Sequence, residues 1–160
     1  MVENAEATVR CVYLPLAEAG LLVPSSAVAE VIVVPPIDVI NGAPYWLAGL
    51  VDWRGTRLPL LRVEAALGES ETETESGVRG RVAVIHVLDE DSTVHFYGIG
   101  IQRLPTVVFA TERTTKFAEP TVLVDWVQSQ VELEIGDALV PRLDLLEQMA
   151  ISALPASECQ

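Results

Sequence analysis

The sequence predicts an all-β fold built as one small barrel or a pair of them. Three observations lead there. Apolar segments are short and closely spaced, and turn residues separate them. No segment carries the long 3.6-residue periodicity of an amphipathic helix, so βαβ units are not expected. The pattern also repeats faintly. Val23, Val28 and Val31 recur in spacing as Ile99, Leu104 and Val107, about 76 positions on. Gly55-Thr56-Arg57-Leu58-Pro59-Leu60-Leu61 has an echo in Gly136 to Leu143. Two similar β units in one chain would produce both repeats.

Taken in order, residues 1–7 are polar. Val9 to Leu16 reads as a strand, Glu18-Ala19-Gly20 as a turn, and Leu21 to Val23 as the next strand. Ser25-Ser26 starts a single helical turn. Val31 to Val34 is an unbroken branched run, predicted to be buried on both faces, and Pro35-Pro36 ends it. Residues 37–47 form an irregular link. The densest stretch follows, A-P-Y-W-L-A-G-L-V-D-W-R-G-T-R-L-P-L-L-R over residues 43–62. It reads as a β-hairpin turning at Asp52 to Thr56. Pro59 lacks an N–H and is expected at a bulge or on an edge. Val63 to Leu67 is a short helix closed by Gly68. Residues 68–77 alternate Glu with Ser and Thr and read as a solvated loop. Strands follow at Arg81–Leu88, Val94–Ile101 and Leu104–Phe109, then a polar loop over 110–120. Val122 to Val127 is apolar, and Val131 to Ile135 alternates as a half-exposed strand. Gly136-Asp137 turns into a further strand, and Leu143 to Ile151 is a terminal helix.

Composition excludes several functions. The chain has 160 residues, half of them hydrophobic, enough for one domain with a sizeable core. Its net charge of −13, from 23 acidic and 10 basic side chains, argues against nucleic acid and against an anionic membrane surface. No apolar run reaches membrane-spanning length, and no signal peptide is evident, so a cytoplasmic protein without membrane insertion is expected. Cys11 and Cys159 do not form a disulfide or zinc framework. His86 and His95 sit in strands without metal-ligand spacing. Asp89, Glu90 and Asp91 read as a turn rather than a calcium loop. No nucleophile elbow, P-loop or dinucleotide fingerprint occurs. No enzyme activity and no cofactor are expected.

Residues 43–62 resemble the signature of the CheW-like family of chemotaxis coupling proteins, in which apolar-Arg-Gly marks a hairpin tip. Upstream, Val28-Ala29-Glu30-Val31-Ile32 is similar to the family's V-x-E-I-I segment. Downstream, Tyr97 to Ile101 and Leu143 to Leu146 are similar to two later family segments. The resemblance runs along nearly the whole chain in order. It implies a single domain over 1–160, made of two intertwined five-stranded SH3-like barrel subdomains sharing a hydrophobic core, with short helices and a division roughly near the 68–80 loop. It also implies a non-catalytic adaptor. The partners would be a CheA-type histidine kinase regulatory domain and the cytoplasmic tip of a chemoreceptor. Asp52, Arg62 and Gln102 depart from the family's common Asn, Asp and Asp. A divergent accessory coupler, similar to the ChpC-type proteins of type IV pilus chemosensory systems, fits these departures. A β-barrel module of another signalling pathway that has lost kinase coupling is the alternative.

Within this resemblance the candidate partner-binding residues are Val28, Glu30, Val31, Trp53 and Arg54. Alternation along a strand would put Val28 and Glu30 on one face and Val31 on the other. Trp53 is either an exposed apolar anchor or a core residue. Arg54 either contacts the partner or ties the hairpin to a neighbouring carbonyl. Gly49, Gly55 and Pro59 are the structural signature.

Overall fold

A computed structural model describes residues 7–67, 80–121 and 124–155. The acidic segment 68–77, the cap at Gly68, the N-terminal residues, Val122 and Cys159 lie outside the described residues. Among the described residues are eleven strands and two α-helices: β1 Val9–Pro15, β2 Gly20–Pro24, β3 Val28–Val33, β4 Leu47–Trp53, β5 Thr56–Leu61, α1 Val63–Ala66, β6 Arg81–His86, β7 Phe96–Ile101, β8 Thr106–Ala110, β9 Lys116–Ala118, β10 Val127–Leu133, β11 Gly136–Pro141 and α2 Leu143–Ser152. A single 3-10 turn, Ser25–Ala27, joins β2 to β3.

The strands form two sheets, ordered β8-β1-β2-β11-β10-β9 and β3-β6-β7-β5-β4. The all-β, two-unit architecture expected of the sequence is present. One unit has five strands. The other has five in the same arrangement plus the three-residue edge strand β9. The units are interleaved along the chain. The chain leaves the first sheet after β2 and returns at β8, while β3 to β7 make the second sheet. The expected division near residues 68–80 therefore falls between β5 and β6, inside the span of the second sheet. A polar run reports that its own residues lack apolar side chains. It does not report which sheet the flanking strands join.

The internal repeat is real, but its offset is 80 in the hairpins. Leu47↔Leu61, Leu50↔Pro59 and Trp53↔Thr56 in the first hairpin match Val127↔Pro141, Gln130↔Leu139 and Leu133↔Gly136 in the second. Each hairpin has a register shift after its first pair, at Leu47/Gly49 and at Val127/Ser129. The Asp38↔Leu50 bridge corresponds to Ala118↔Gln130. Gly55 and Gly136 are thus not equivalent. Gly55 lies within a turn, whereas Gly136 opens β11.

Interleaving explains the core. The largest buried cluster takes Leu14, Leu21 and Val23 from the first sheet, Ile85, Tyr97 and Ile99 from the second, and Leu146 and Ala150 from α2. Each sheet then encloses a smaller cluster on its other face. Val51, Leu58, Leu60, Val82 and Val84 form one, and Cys11, Tyr13, Leu22, Val131 and Ala138 the other. Inner strands such as β6 are buried on both faces and read as continuous apolar runs. The same reading fails for β3. Its residues are half-buried and Val33 is 67% exposed, because β3 is an edge strand paired only with β6.

Pro59 is also placed differently from expectation. It lies in β5, an inner strand between β7 and β4. Its partner Leu50 directs both backbone groups away from β5, to Asp38 (Asp38 N to Leu50 O 2.8 Å, Leu50 N to Asp38 O 2.9 Å). Leu50–Pro59 is therefore a pair that exchanges no hydrogen bonds, and no donor is needed from Pro59 toward β4. Pairing with β7 begins only at the next residue, Leu60.

Candidate functional site

The site is assembled at the tip of the β4–β5 hairpin. Trp53 pairs with Thr56, and the two residues between them, Arg54 and Gly55, have φ of 49° and 77°. Positive φ at both central residues is the type I′ geometry that matches strand twist. Asp52 lies earlier, inside β4, opposite Arg57, so it is not the turn residue the sequence reading supposed. Gly55 is required by the turn alone, since an added Cβ would meet nothing within 4 Å. Gly49 is required by packing. Its φ is 144°, and a Cβ there would run into the carbonyl of Asp38. That close approach seats the 37–38 segment beside β4.

Three of the five candidate residues come together. Glu30 Oε2 accepts a hydrogen bond from Trp53 Nε1 at 2.7 Å and another from Arg54 Nε at 3.2 Å. The Arg54 guanidinium lies 5.3 Å from the centre of the Trp53 ring, within cation–π range. These contacts hold the Glu30 carboxyl below the usual carboxylate range, the Trp53 hydrogen bond contributing most and Arg54 next. Trp53 is half-buried, and its ring meets Phe96 edge-on at 4.8 Å between centroids. Its ring packs on the second sheet's own cluster while its N–H serves the surface group. Arg54 is 71% exposed and is tied to Glu30, not to a backbone carbonyl.

Val28 and Val31 are not part of this group. A register shift between Val28 and Glu30 marks a bulge, and one extra residue reverses the alternation. Val28, opposite Ile85, and Val31, opposite Ala83, both pack on the shared core. Glu30, opposite Val84, faces the other way, toward Trp53. The expected pairing of Val28 with Glu30 on one face is therefore corrected. Sequence reasoning also missed Phe96, which supports the Trp53 ring from β7, and the Arg57–Asp38 ion pair at 2.7 Å. Nothing local in the sequence links either pair.

Two of the family departures have internal explanations. Gln102 Nε2 donates to both oxygens of Glu64, at 3.3 and 3.4 Å, and Glu64 also accepts from Ala17 N at 2.6 Å. An aspartate at 102 could not donate to that carboxylate. Asp52 Oδ1 lies 3.9 Å from Arg57 Nε.

The described residues contain no group of three or more His, Cys, Asp or Glu placed to hold a metal. They contain no helix long and apolar enough to cross a membrane. Two interleaved SH3-like units thus carry a surface tip at which Glu30 meets the half-buried Trp53 and the exposed Arg54. The comparisons specify the class. The family model for the CheW-like domain matches residues 10–116, and the chain belongs to that family. The crystal structure of the scaffolding protein TtCheW from Thermoanaerobacter tengcongensis is similar in fold. It has a TM-score of 0.70 and 18% identity, over 88% of this chain and 92% of that one. The search of curated proteins finds no match. Membership places the chain among chemotaxis scaffold and coupling proteins.

Proposed function

We propose that this chain is a non-catalytic adaptor that couples a chemoreceptor's cytoplasmic tip to the regulatory domain of a CheA-type histidine kinase, acting in the cytoplasm. The tip formed by Glu30, Trp53 and Arg54 is the partner contact, and Val28 and Val31 set its position through the core. Family membership supports the class of partner. The observation that carries the site is Arg54. Its backbone is left-handed, which costs a non-glycine residue on the order of 1 kcal/mol or more, and its side chain is exposed. An exposed ion pair contributes little to stability, so the fold gains little from an arginine there. A binding role accounts for it.

The test is calorimetric titration with the kinase regulatory domain and a receptor-tip fragment from the same organism. Arg54→Ala should weaken binding by about tenfold or more with the melting temperature nearly unchanged. Absence of binding to any such pair encoded by that organism overturns the reading. A second reading, a β-barrel module serving another signalling pathway, is favoured by Asp52, Arg62 and Gln102. It would be supported by tight binding of an unrelated partner that Trp53→Ala and Arg54→Ala leave unaffected.

A further inference from the structure

Beside the hairpin, the irregular link over residues 37–47 walls a cleft of about 470 Å³. Its lining includes the apolar side chains of Ile37, Ile40 and Pro44, and two more, Val39 and Tyr45, are 71% and 60% exposed. Among the described residues, the one charged side chain lining it is Arg62. The Arg62 Nε is buried and has no hydrogen-bond partner among the described residues. A buried donor of a charged group left without an acceptor costs more than a neutral one.

The internal repeat shows why Arg62 Nε lacks a partner among the described residues. Its counterpart at an offset of 80 is Arg142. Both backbones are fixed in the same way, Arg62 N to Trp46 O at 2.7 Å and Arg142 N to Trp126 O at 2.6 Å. Arg142 then pairs with Asp144 two residues on, at 3.0 Å. The residue two on from Arg62 is Glu64, but Glu64 is already engaged by Ala17 N and Gln102 Nε2. Arg54 and Arg57 likewise have carboxylate partners. In a chain of net charge −13, Arg62 keeps a buried Nε without a hydrogen-bond partner among the described residues, in the lining of this cleft.

We propose that this cleft is a second docking site, distinct from the Glu30–Trp53–Arg54 tip, for a segment of a partner protein carrying an acidic side chain flanked by apolar residues. Arg62 receives the carboxylate through its fork of N–H donors, and Val39, Ile40 and Tyr45 receive the apolar flanks. The volume is that of a site for a few side chains. The site does not depend on the tip being a partner contact.

The test uses the full chain and the capped peptide acetyl-GSLLELLSG-amide, with its glutamine counterpart, followed by NMR. The Arg62 Nε–H resonance and the amides of Ala43 and Ala48 should shift in the millimolar range. The glutamate peptide should bind at least about fivefold tighter than the glutamine peptide. Arg62→Gln, with an unchanged amide spectrum elsewhere, should abolish that preference. Equal binding of the two peptides, a preference that survives Arg62→Gln, or no shift at Arg62 overturns the proposal. Sodium propionate matching the glutamate peptide at equal concentration overturns the assignment to a peptide segment.

Discussion

Arg54 and Glu30 separate two effects that a single deletion would confuse. Replacing Arg54 with glycine removes the side chain and also relieves the left-handed backbone at φ 49°. Arg54→Gly should therefore leave thermal stability equal to or slightly above the parent, while its affinity for the partner falls as far as in Arg54→Ala. A melting temperature several degrees lower in Arg54→Gly, read by calorimetry, would mean the side chain holds the hairpin. Glu30 supplies the pH dependence. Its folded-state pKa lies below its unfolded value, through Trp53 and then Arg54. Its contribution is thus present above the ordinary carboxylate range and is lost as pH falls through the depressed folded value. The stability difference between parent and Glu30→Gln should be present at neutral pH and vanish in strong acid. A difference that persists unchanged to pH 3 would show that another group is responsible.

At the scale of the element, the hairpin and its glycines were the most legible part of the chain. Turn residues and apolar runs act locally, and both are visible in sequence. Less legible was anything that depended on neighbours. The Val31–Val34 run resembles the buried strand β6 in composition, and only the sheet order makes β3 an edge. Pro59 sits inside a sheet because Leu50 is bonded to Asp38, a residue from the irregular link. The bulge that separates Glu30 from Val28 left no mark in the sequence, so the alternation came out wrong although Glu30, Trp53 and Arg54 were all singled out. Gly49 joins the two cases. It is legible as a signature glycine, but its reason, the approach of the Asp38 carbonyl, is tertiary. Gly49→Ala combines that clash with backbone at φ 144°. It should cost about 3 kcal/mol or more in urea denaturation, whereas Gly55→Asn, in an open turn that tolerates left-handed Asn, should cost under about 1 kcal/mol. Similar losses for both would mean that the close approach to Asp38 is not what requires Gly49.

The molecule as a whole gains from interleaving what two separate barrels would lack. Since β3 to β7 lie between β2 and β8 in sequence, the first sheet cannot be completed until the chain has passed through the second. The large cluster draws on both sheets and on α2, so removing either sheet strips the other of its outer face. A polar contact crosses the same boundary. Glu147 of α2 is 6% exposed, and its two oxygens accept the N–H groups of Leu88 at 2.6 Å and Asp89 at 3.2 Å, just beyond β6. Nearby, the phenol of Tyr97 is buried without a hydrogen-bond partner among the described residues, and its pKa is raised by burial and then by Glu147. A Glu147→Leu variant removes the carboxylate and leaves two backbone donors without their acceptor, a loss of about 2–4 kcal/mol. The loss should appear in the whole molecule. Urea unfolding followed by far-ultraviolet circular dichroism and by tryptophan fluorescence should give coincident single transitions in parent and variant, with the variant's midpoint lowered. Trp53 lies in the second sheet and Trp126 beside the second hairpin, so the fluorescence covers both units. Separate transitions in the parent would mean that the two units fold independently despite their interleaved strands. A split only in the variant would identify Glu147 as the contact on which their cooperativity rests.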